Sequence, residues 1–176
     1  MAEHRFGVAV IGAGNIAAAH IAAVTGLPQG RLVGVAGRTP EKPRALAEKH
    51  GVRAYASVAE AVADPEVEVV AVCTPSGAHL EPAIAAVAAG KHVIVEKPLE
   101  ITTERARRLI RAAEDAGVAL ATVFMSRFAD ANAYVKQAID AGRLGTLLQG
   151  NAYVPWYRTQ AYYDSGAWGG AKALDG

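Results

Sequence analysis

The sequence predicts an α/β fold, a parallel sheet with helices on both faces, followed by the start of an α+β unit. Three observations predict it: short apolar runs alternate with Ala-rich helical patterns, a glycine-rich turn follows the first run, and aromatic residues become denser after Phe124. Strands that alternate with helices form parallel sheets with right-handed crossovers. We therefore predict one domain over residues 1–124 and the incomplete beginning of a second over residues 125–176.

Each predicted strand of the first domain is a short apolar run rich in Val and Ile. The five predicted strands are Gly7–Ile11, Arg31–Ala36, Val67–Cys73, His92–Glu96 and Val118–Phe124. Helical patterns cover Asn15–Thr25, Pro40–His50, Ser57–Ala63, His79–Ala89 and Thr102–Ala116. The glycines expected to end helices in a left-handed conformation are Gly26, Gly51, Gly90 and Gly117. Thr102 or Thr103, followed by Glu104, predicts a capped start for the last of these helices.

The second segment is predicted to begin with a helix over Asp130–Ala141, which Gly142 ends, and to continue with a strand over Leu147–Val154. A strand without the rest of its sheet exposes unpaired backbone groups, and the aromatic residues that follow it lack a core. We therefore expect the residues after Gly145 to self-associate, as in a homo-oligomer, or to be cut easily by proteases.

Composition excludes several classes of partner. The 176 residues contain 18 Lys and Arg against 17 Asp and Glu, without a basic stripe, which argues against nucleic acid and membrane surfaces. The sequence shows no signal peptide and no apolar run of the ~18 residues that span a bilayer, so a cytoplasmic location is expected. Cys73, the single cysteine, lies in an apolar run and is expected in the core. No metal site is predicted.

The turn after the first strand predicts a dinucleotide site and therefore a Rossmann-like sheet. It reads Gly12-Ala13-Gly14-Asn15-Ile16-Ala17, in the order G-x-G-x-x-A. Gly12 permits the tight turn, and Gly14 lets the backbone approach a pyrophosphate. The small side chain of Ala17 keeps the helix close to the strand. Asn15 and Ile16 open the helix, whose free N–H groups and positive dipole end attract phosphate. The alternative is a purely structural turn, since glycine-rich turns are common.

The end of the second strand bears on the choice of dinucleotide. An acidic residue about 20 positions after the glycine turn binds the adenosine ribose in NAD-binding folds. Gly37 stands there instead, and Arg38 and Thr39 follow. A guanidinium and a hydroxyl suit a 2′-phosphate, so the sequence favours NADP modestly over NAD. The alternative is that Arg38 is a solvated loop residue near the adenine.

Two further turns follow predicted strands at the ligand edge of the sheet. In the first, Thr74 and Pro75 are expected to lie along the cofactor; His79 begins the next helix and either contacts the ligand or serves capping and packing. In the second, Glu96 and Lys97 end a buried strand. An ammonium there can bind a substrate hydroxyl and stabilise developing negative charge, with Glu96 orienting it. The alternative is a surface ion pair, which contributes little.

Taken together, these motifs resemble the Gfo/Idh/MocA family, named after glucose–fructose oxidoreductase, inositol dehydrogenase and rhizopine catabolism. The resemblance lies in Gly12–Ala17, Cys73–His79 and Glu96-Lys97-Pro98, and in Arg127 and Ile139–Gly145, which resemble the junction between the family's domains. It implies NAD(P)-dependent oxidation or reduction at a carbon of a sugar, a cyclitol or a related compound. Lys97 would be the active-site lysine.

The last segment resembles family members that dehydrogenate nucleotide-linked sugars of the UDP-N-acetylglucosaminuronate type. The residues that resemble them are Val154–Arg158, Tyr162-Tyr163 and Trp168. In those relatives a glycine-rich turn and a catalytic histidine follow the segment that corresponds to Leu174–Gly176. The run Gly169–Lys172 departs from their Arg- and Trp-containing sequence. The resemblance therefore implies a truncated, catalytically incomplete oxidoreductase.

Two classes of function follow from the sequence. One is an oxidoreductase that binds NAD(P) and acts on a sugar or nucleotide-sugar hydroxyl. The other is a cofactor-binding or redox-sensing module that works through a partner chain. A homo-oligomer that completes a site between copies is a third, weaker hypothesis. A dehydrogenase needs a base for the hydroxyl proton, and a protonated lysine is a poor base near neutral pH. Little turnover with sugars is therefore expected from this sequence alone.

Overall fold

The structure, a computed structural model, describes residues 4–164 and 170–171. Trp168, Gly169, Lys172 and Leu174–Gly176 lie outside the described residues. The strands are β1 (Phe6–Ile11), β2 (Gly30–Ala36), β3 (Arg53–Tyr55), β4 (Val69–Val72), β5 (His92–Val95) and β6 (Leu120–Thr122). The helices are α1 (Asn15–Gly26), α2 (Glu41–His50), α3 (Val58–Ala63), α4 (Leu80–Ala88), α5 (Thr103–Ala116), α6 (Asp130–Asp140) and α7 (Gln160–Asp164).

The six strands form one parallel sheet in the order β3-β2-β1-β4-β5-β6. The chain begins at β1 in the middle, builds outward to β3, and then crosses to β4 on the other side. The strand order therefore reverses between β1 and β4, and ligands of open α/β sheets bind outside the carboxyl ends of strands at such a point. The predicted parallel α/β fold is confirmed.

Alternate residues of β1 point to opposite faces of the sheet, and each face has its own core. Ala9 and Ile11 pack with buried residues of α3, α4 and α5. Val8 and Val10 pack with Ala17 and other apolar residues of α1 and α2. Helices therefore cover both faces, as predicted, and α1 lies against the strands from which a cofactor site would be built.

Most of the predicted helix ends are confirmed. The Ser57 and Thr102 side chains accept hydrogen bonds from the backbone N–H groups of Glu60 and Arg105, and so cap α3 and α5. Left-handed glycines follow α2, α4 and α5 at Gly51, Gly90 and Gly117. The expectation for Gly26 is wrong. Gly26 is the last residue of α1, and Leu27 is the C-cap. Leu27 has an extended backbone and donates its N–H to Ala23 O, so no left-handed residue is required.

Residues 124–164 form a separate compact unit with little secondary structure besides α6 and the short α7. The predicted helix is confirmed over Asp130–Asp140, followed by left-handed Gly142. The predicted strand Leu147–Val154 is wrong, because this segment is exposed and pairs with no other strand in the described chain. A strand-like segment forms a stable strand only where a second strand pairs with its backbone. No helix among the described residues is long and apolar enough to cross a bilayer.

Candidate dinucleotide site

The carboxyl ends of the central strands border a cavity of about 270 Å³ on the β2–β3 side of the sheet. Ile11 at the end of β1, Gly37 after β2 and Thr74 after β4 line it, together with Ser57 and Pro82. A cavity at the point where the strand order reverses lies where this class of fold binds nucleotides.

Gly12 is the residue that the local geometry fixes most tightly. Its φ is 120°, a conformation that residues with a Cβ rarely adopt. A Cβ there would be 2.4 Å from the carbonyl oxygen of Cys73, and its own N–H donates to Ala36 O at 2.8 Å. The turn therefore passes directly over the ends of β2 and β4, and only glycine permits this.

Gly14 and the first residues of α1 present an open, uncapped helix end. No side chain caps α1, and its first turn contains no acidic residue. A Cβ at Gly14 would have no heavy atom within 4 Å. Asn15 and Ile16 are exposed beside it, whereas Ala17 is fully buried against the sheet. A pyrophosphate fits here, because free N–H groups and the helix dipole face open space without a competing carboxylate.

The end of β2 has room for the acidic side chain that it lacks. A Cβ on Gly37 would meet Pro43 Cγ at 3.5 Å and Ala13 Cβ at 3.6 Å, which are ordinary contacts. Arg38 lines the cavity and is exposed, and Thr39 is exposed next to it. No side-chain hydrogen bond holds Arg38 within the part of the chain that the structure describes. Its guanidinium is therefore available to an anion.

The turn after β4 is held by its own polar side chains. Thr74 Oγ1 donates to Ala78 O at 2.9 Å, and Pro75 leads into a 3₁₀ turn over Ser76–Ala78. His79 is only 1% exposed, and its ring nitrogens lie 2.9 Å from Thr74 O and from Pro98 O. The structure thus places His79 between two loops rather than in the cavity, whereas Thr74 lines it.

Glu96 and Lys97 differ sharply in environment. Glu96 is buried after β5, and its Oε2 accepts a hydrogen bond from the Lys97 backbone N–H at 3.1 Å. The Lys97 side chain is exposed, and within the described residues its ammonium has no hydrogen bond or ion pair. The alternative of a surface ion pair between them is therefore wrong: the carboxylate fixes the backbone of Lys97 and leaves the ammonium available.

Sequence reasoning missed the partner of Glu96. His20 Nε2 lies 2.8 Å from Glu96 Oε1, and the two side chains are 13% and 7% exposed. His20 belongs to α1 and is 76 positions from Glu96 in the sequence. His20 follows the buried Ala17 by three positions and precedes the buried Ile21 by one, which places it near the buried face of an Ala-rich helix. That spacing was the available signal, but it names no partner.

A second buried pair that the sequence did not reveal, Glu100 with Arg105, holds the turn after β4 and the loop after β5 on the side away from the cavity. The Glu100 carboxylate is fully buried, accepts from the Leu80 N–H at 2.9 Å, and pairs with Arg105 Nε at 2.8 Å. Arg105 also donates to Gly77 O. Burial raises the pKa of Glu100, but the hydrogen bonds from Arg105, from its neighbour Ile101 and from the start of α4 outweigh burial and hold this pKa below its usual value.

Cys73 is buried beside this site. Burial, with a contribution from the negative charge of Glu96, raises the pKa of the thiol to about 12. A thiol that stays protonated is a poor nucleophile and a poor redox sensor. The described residues contain no group of three or more potential metal ligands. Within the described residues, the site therefore combines an open cleft at the strand ends with the exposed Lys97 ammonium.

The comparisons with known proteins agree with this geometry. A family model described as the oxidoreductase family with an NAD-binding Rossmann fold, GFO_IDH_MocA, matches residues 6–124. The 1,5-anhydro-D-fructose reductase of Ensifer adhaerens is 39% identical over 137 residues, which are 77% of this chain and 41% of that protein. The inositol 2-dehydrogenase of Rhizobium meliloti is 36% identical, over 80% of this chain and 42% of that protein. The chain spans about two fifths of the length of these curated relatives.

Solved structures extend the likeness. The WlbA dehydrogenase from Chromobacterium violaceum, crystallised with NADH and UDP-GlcNAcA, matches with a TM-score of 0.93 at 30% identity, over 100% of this chain and 51% of that chain. GenD2 from gentamicin A biosynthesis, in complex with NAD, matches with a TM-score of 0.76 at 36% identity, over 83% of this chain and 42% of that chain.

Proposed function

Because the chain belongs to the Gfo/Idh/MocA family of oxidoreductases with an NAD-binding Rossmann fold, we propose that it binds NAD(P) at the carboxyl edge of its sheet. The observation that supports this best is the close approach of Gly12 to Cys73, next to the open N-terminus of α1 at Gly14. Together they leave backbone N–H groups facing a space that a pyrophosphate fills.

We further propose that the reaction is oxidation or reduction at a hydroxyl-bearing carbon of a sugar or a nucleotide-linked sugar. The support is that similar proteins are named for sugar and inositol substrates, and that a similar structure contains UDP-GlcNAcA. When bound, the nicotinamide accepts or supplies the hydride. The alternative of a cofactor-binding or redox-sensing module is not favoured, because the similar proteins are named as reductases and dehydrogenases.

Lys97 is the residue to which we assign substrate contact. Its ammonium is exposed at the end of β5, and Glu96 anchors its backbone. An ammonium there donates to the substrate oxygen and stabilises negative charge on it. A protonated lysine does not remove the hydroxyl proton efficiently, so the reaction needs a further base. His20 and His79 do not serve, because the ring of each already forms hydrogen bonds within the protein.

The choice of NADP over NAD remains our proposal, made from three neighbouring residues. Gly37 offers no carboxylate to a 2′-hydroxyl, while the exposed Arg38 and Thr39 offer donors to a 2′-phosphate. We also propose a cytoplasmic setting, where an unpaired Cys73 stays reduced. We also assign homo-oligomerisation to the exposed apolar residues after Gly145.

Titration with NADH and NADPH, followed by the fluorescence of the reduced cofactor, tests the proposed site. Gly14→Val places a branched side chain in the open space at the start of α1 and is expected to weaken binding by about tenfold or more. Gly26→Val is the matched control, because it makes the same change in open space at the other end of the same helix. Equal binding by the parent and Gly14→Val would show that the cofactor does not lie there.

A further inference from the structure

Glu96 is a buried carboxylate whose two oxygens both face donors. Oε1 lies 2.8 Å from Nε2 of His20, and Oε2 accepts from the backbone N–H of Lys97 at 3.1 Å. With a side chain only 7% exposed, a carboxylate is tolerated only where such hydrogen bonds stabilise it. This arrangement suits the charged form, which accepts from both sides and needs to donate to neither.

The position of this charge in the sheet is specific. Glu96 follows β5, its backbone N–H donates to Val72 O at the end of β4, and its charge acts on the thiol of Cys73. The cavity reaches from Thr74 after β4 to Gly37 and Ser57 after β2 and β3, so its β2–β3 end lies across the strand-order reversal from Glu96. In a fold built from two mononucleotide-binding halves, the adenosine belongs to that side and the nicotinamide to the β4–β5 side.

We propose that Glu96 makes the site discriminate between the oxidised and reduced cofactor, favouring the oxidised form. The inference rests on the proposed dinucleotide site. The oxidised nicotinamide ring carries a positive charge and the reduced ring is neutral, so a fixed negative charge at this end attracts only the first. His20 holds the carboxylate in place from α1, and the Lys97 side chain is exposed without an ion pair to Glu96 among the described residues.

This role differs from a structural one in what it changes. Loss of local structure weakens the binding of both redox forms alike. Loss of the charge alone changes the ratio of their dissociation constants, because the two forms differ by one unit charge in the same ring. That ratio therefore separates the electrostatic role from a scaffolding role, and it requires no turnover by the chain.

The test is to titrate the full chain with NAD⁺ and with NADH at one pH and ionic strength, NAD⁺ by calorimetry or by competition against NADH. Glu96→Gln keeps the size and removes the charge. It is expected to raise the ratio of the NAD⁺ to the NADH dissociation constant by about tenfold or more, since two unit charges ~12 Å apart at an effective dielectric constant of about 20 already interact by a factor of about ten. Glu96→Asp keeps the charge and is expected to hold the ratio within about twofold of the parent.

Glu104→Gln is the matched control, because Glu104 is an exposed carboxylate in the first turn of α5. If Glu96→Gln does not fold, the double variant His20→Phe/Glu96→Met removes both polar partners together and gives the same measurement. An unchanged ratio with normal NADH binding overturns the inference alone. Failure of the parent to bind NAD⁺, NADH, NADP⁺ and NADPH alike overturns the cofactor site, and the inference with it.

Discussion

Replacement of Gly37 by Asp is the sharpest test of cofactor choice. The Cβ meets Pro43 Cγ at 3.5 Å and Ala13 Cβ at 3.6 Å, so the substitution introduces no steric conflict. A carboxylate that accepts from a ribose 2′-hydroxyl contributes about 1.5–3 kcal/mol. Repulsion between that carboxylate and a 2′-phosphate several ångströms away costs about 2–3 kcal/mol at an effective dielectric constant of about 20. Both effects favour NADH over NADPH.

The expected result is a change of at least about a hundredfold in the ratio of the two dissociation constants toward NADH, since each 1.4 kcal/mol corresponds to about tenfold. The assay is parallel fluorescence titration of the parent and Gly37→Asp with NADH and NADPH. Gly37→Asn controls for size without the charge and is expected to change the ratio far less. A clear NADH preference in the parent would refute the proposed preference for NADP, and an unchanged ratio in Gly37→Asp would refute the assignment of this position to the ribose.

Three other outcomes are expected. Glu100→Gln should destabilise the fold by about 2–3 kcal/mol and flatten its acid unfolding profile. Because the pKa of Glu100 is lower in the folded state, its charge stabilises the fold at pH values above its unfolded-state pKa, and this stabilisation is lost as pH falls through its folded-state pKa. A free energy of unfolding in urea that equals that of the parent at both pH 7 and pH 4 would contradict this. The chain should bind NADH without turning over nucleotide sugars; steady-state activity abolished by Lys97→Met would contradict this. Sedimentation should show self-association that Leu148→Asn weakens, or proteolysis should cut after Gly145; a protease-resistant monomer would contradict both.

The features that the sequence predicted well are those that the residues of one short segment determine. The turn at Gly12–Ala17 contains both its strand end and its helix start, so its geometry follows from local residue types. All strands except β3 lie in apolar runs, and the helix ends at Gly51 and Gly117 need a left-handed residue. Local conformation therefore accounts for most of the first domain.

The features that sequence missed depend on a second segment of chain. The strand β3 has three residues, of which only Tyr55 is buried, so it shows no apolar run. The pattern at Leu147–Val154 resembles a strand, but it has no pairing strand in the described chain. The contact between His20 and Glu96 joins residues 76 positions apart. Register, pairing and buried polar contacts are tertiary facts, and no local pattern specifies them.

Similar tertiary contacts explain why the backbone of the site is held in place while the Lys97 side chain is free to move. His79 joins the turn after β4 to Pro98, and Glu100 with Arg105 joins the start of α4 and Gly77 to the loop after β5. The backbone that would face the cofactor is thus fixed from behind by buried groups. The Lys97 ammonium, by contrast, is exposed and unpaired among the described residues. A fixed backbone with one adjustable cation lets the site hold a dinucleotide rigidly while the lysine adapts to the position of the substrate oxygen.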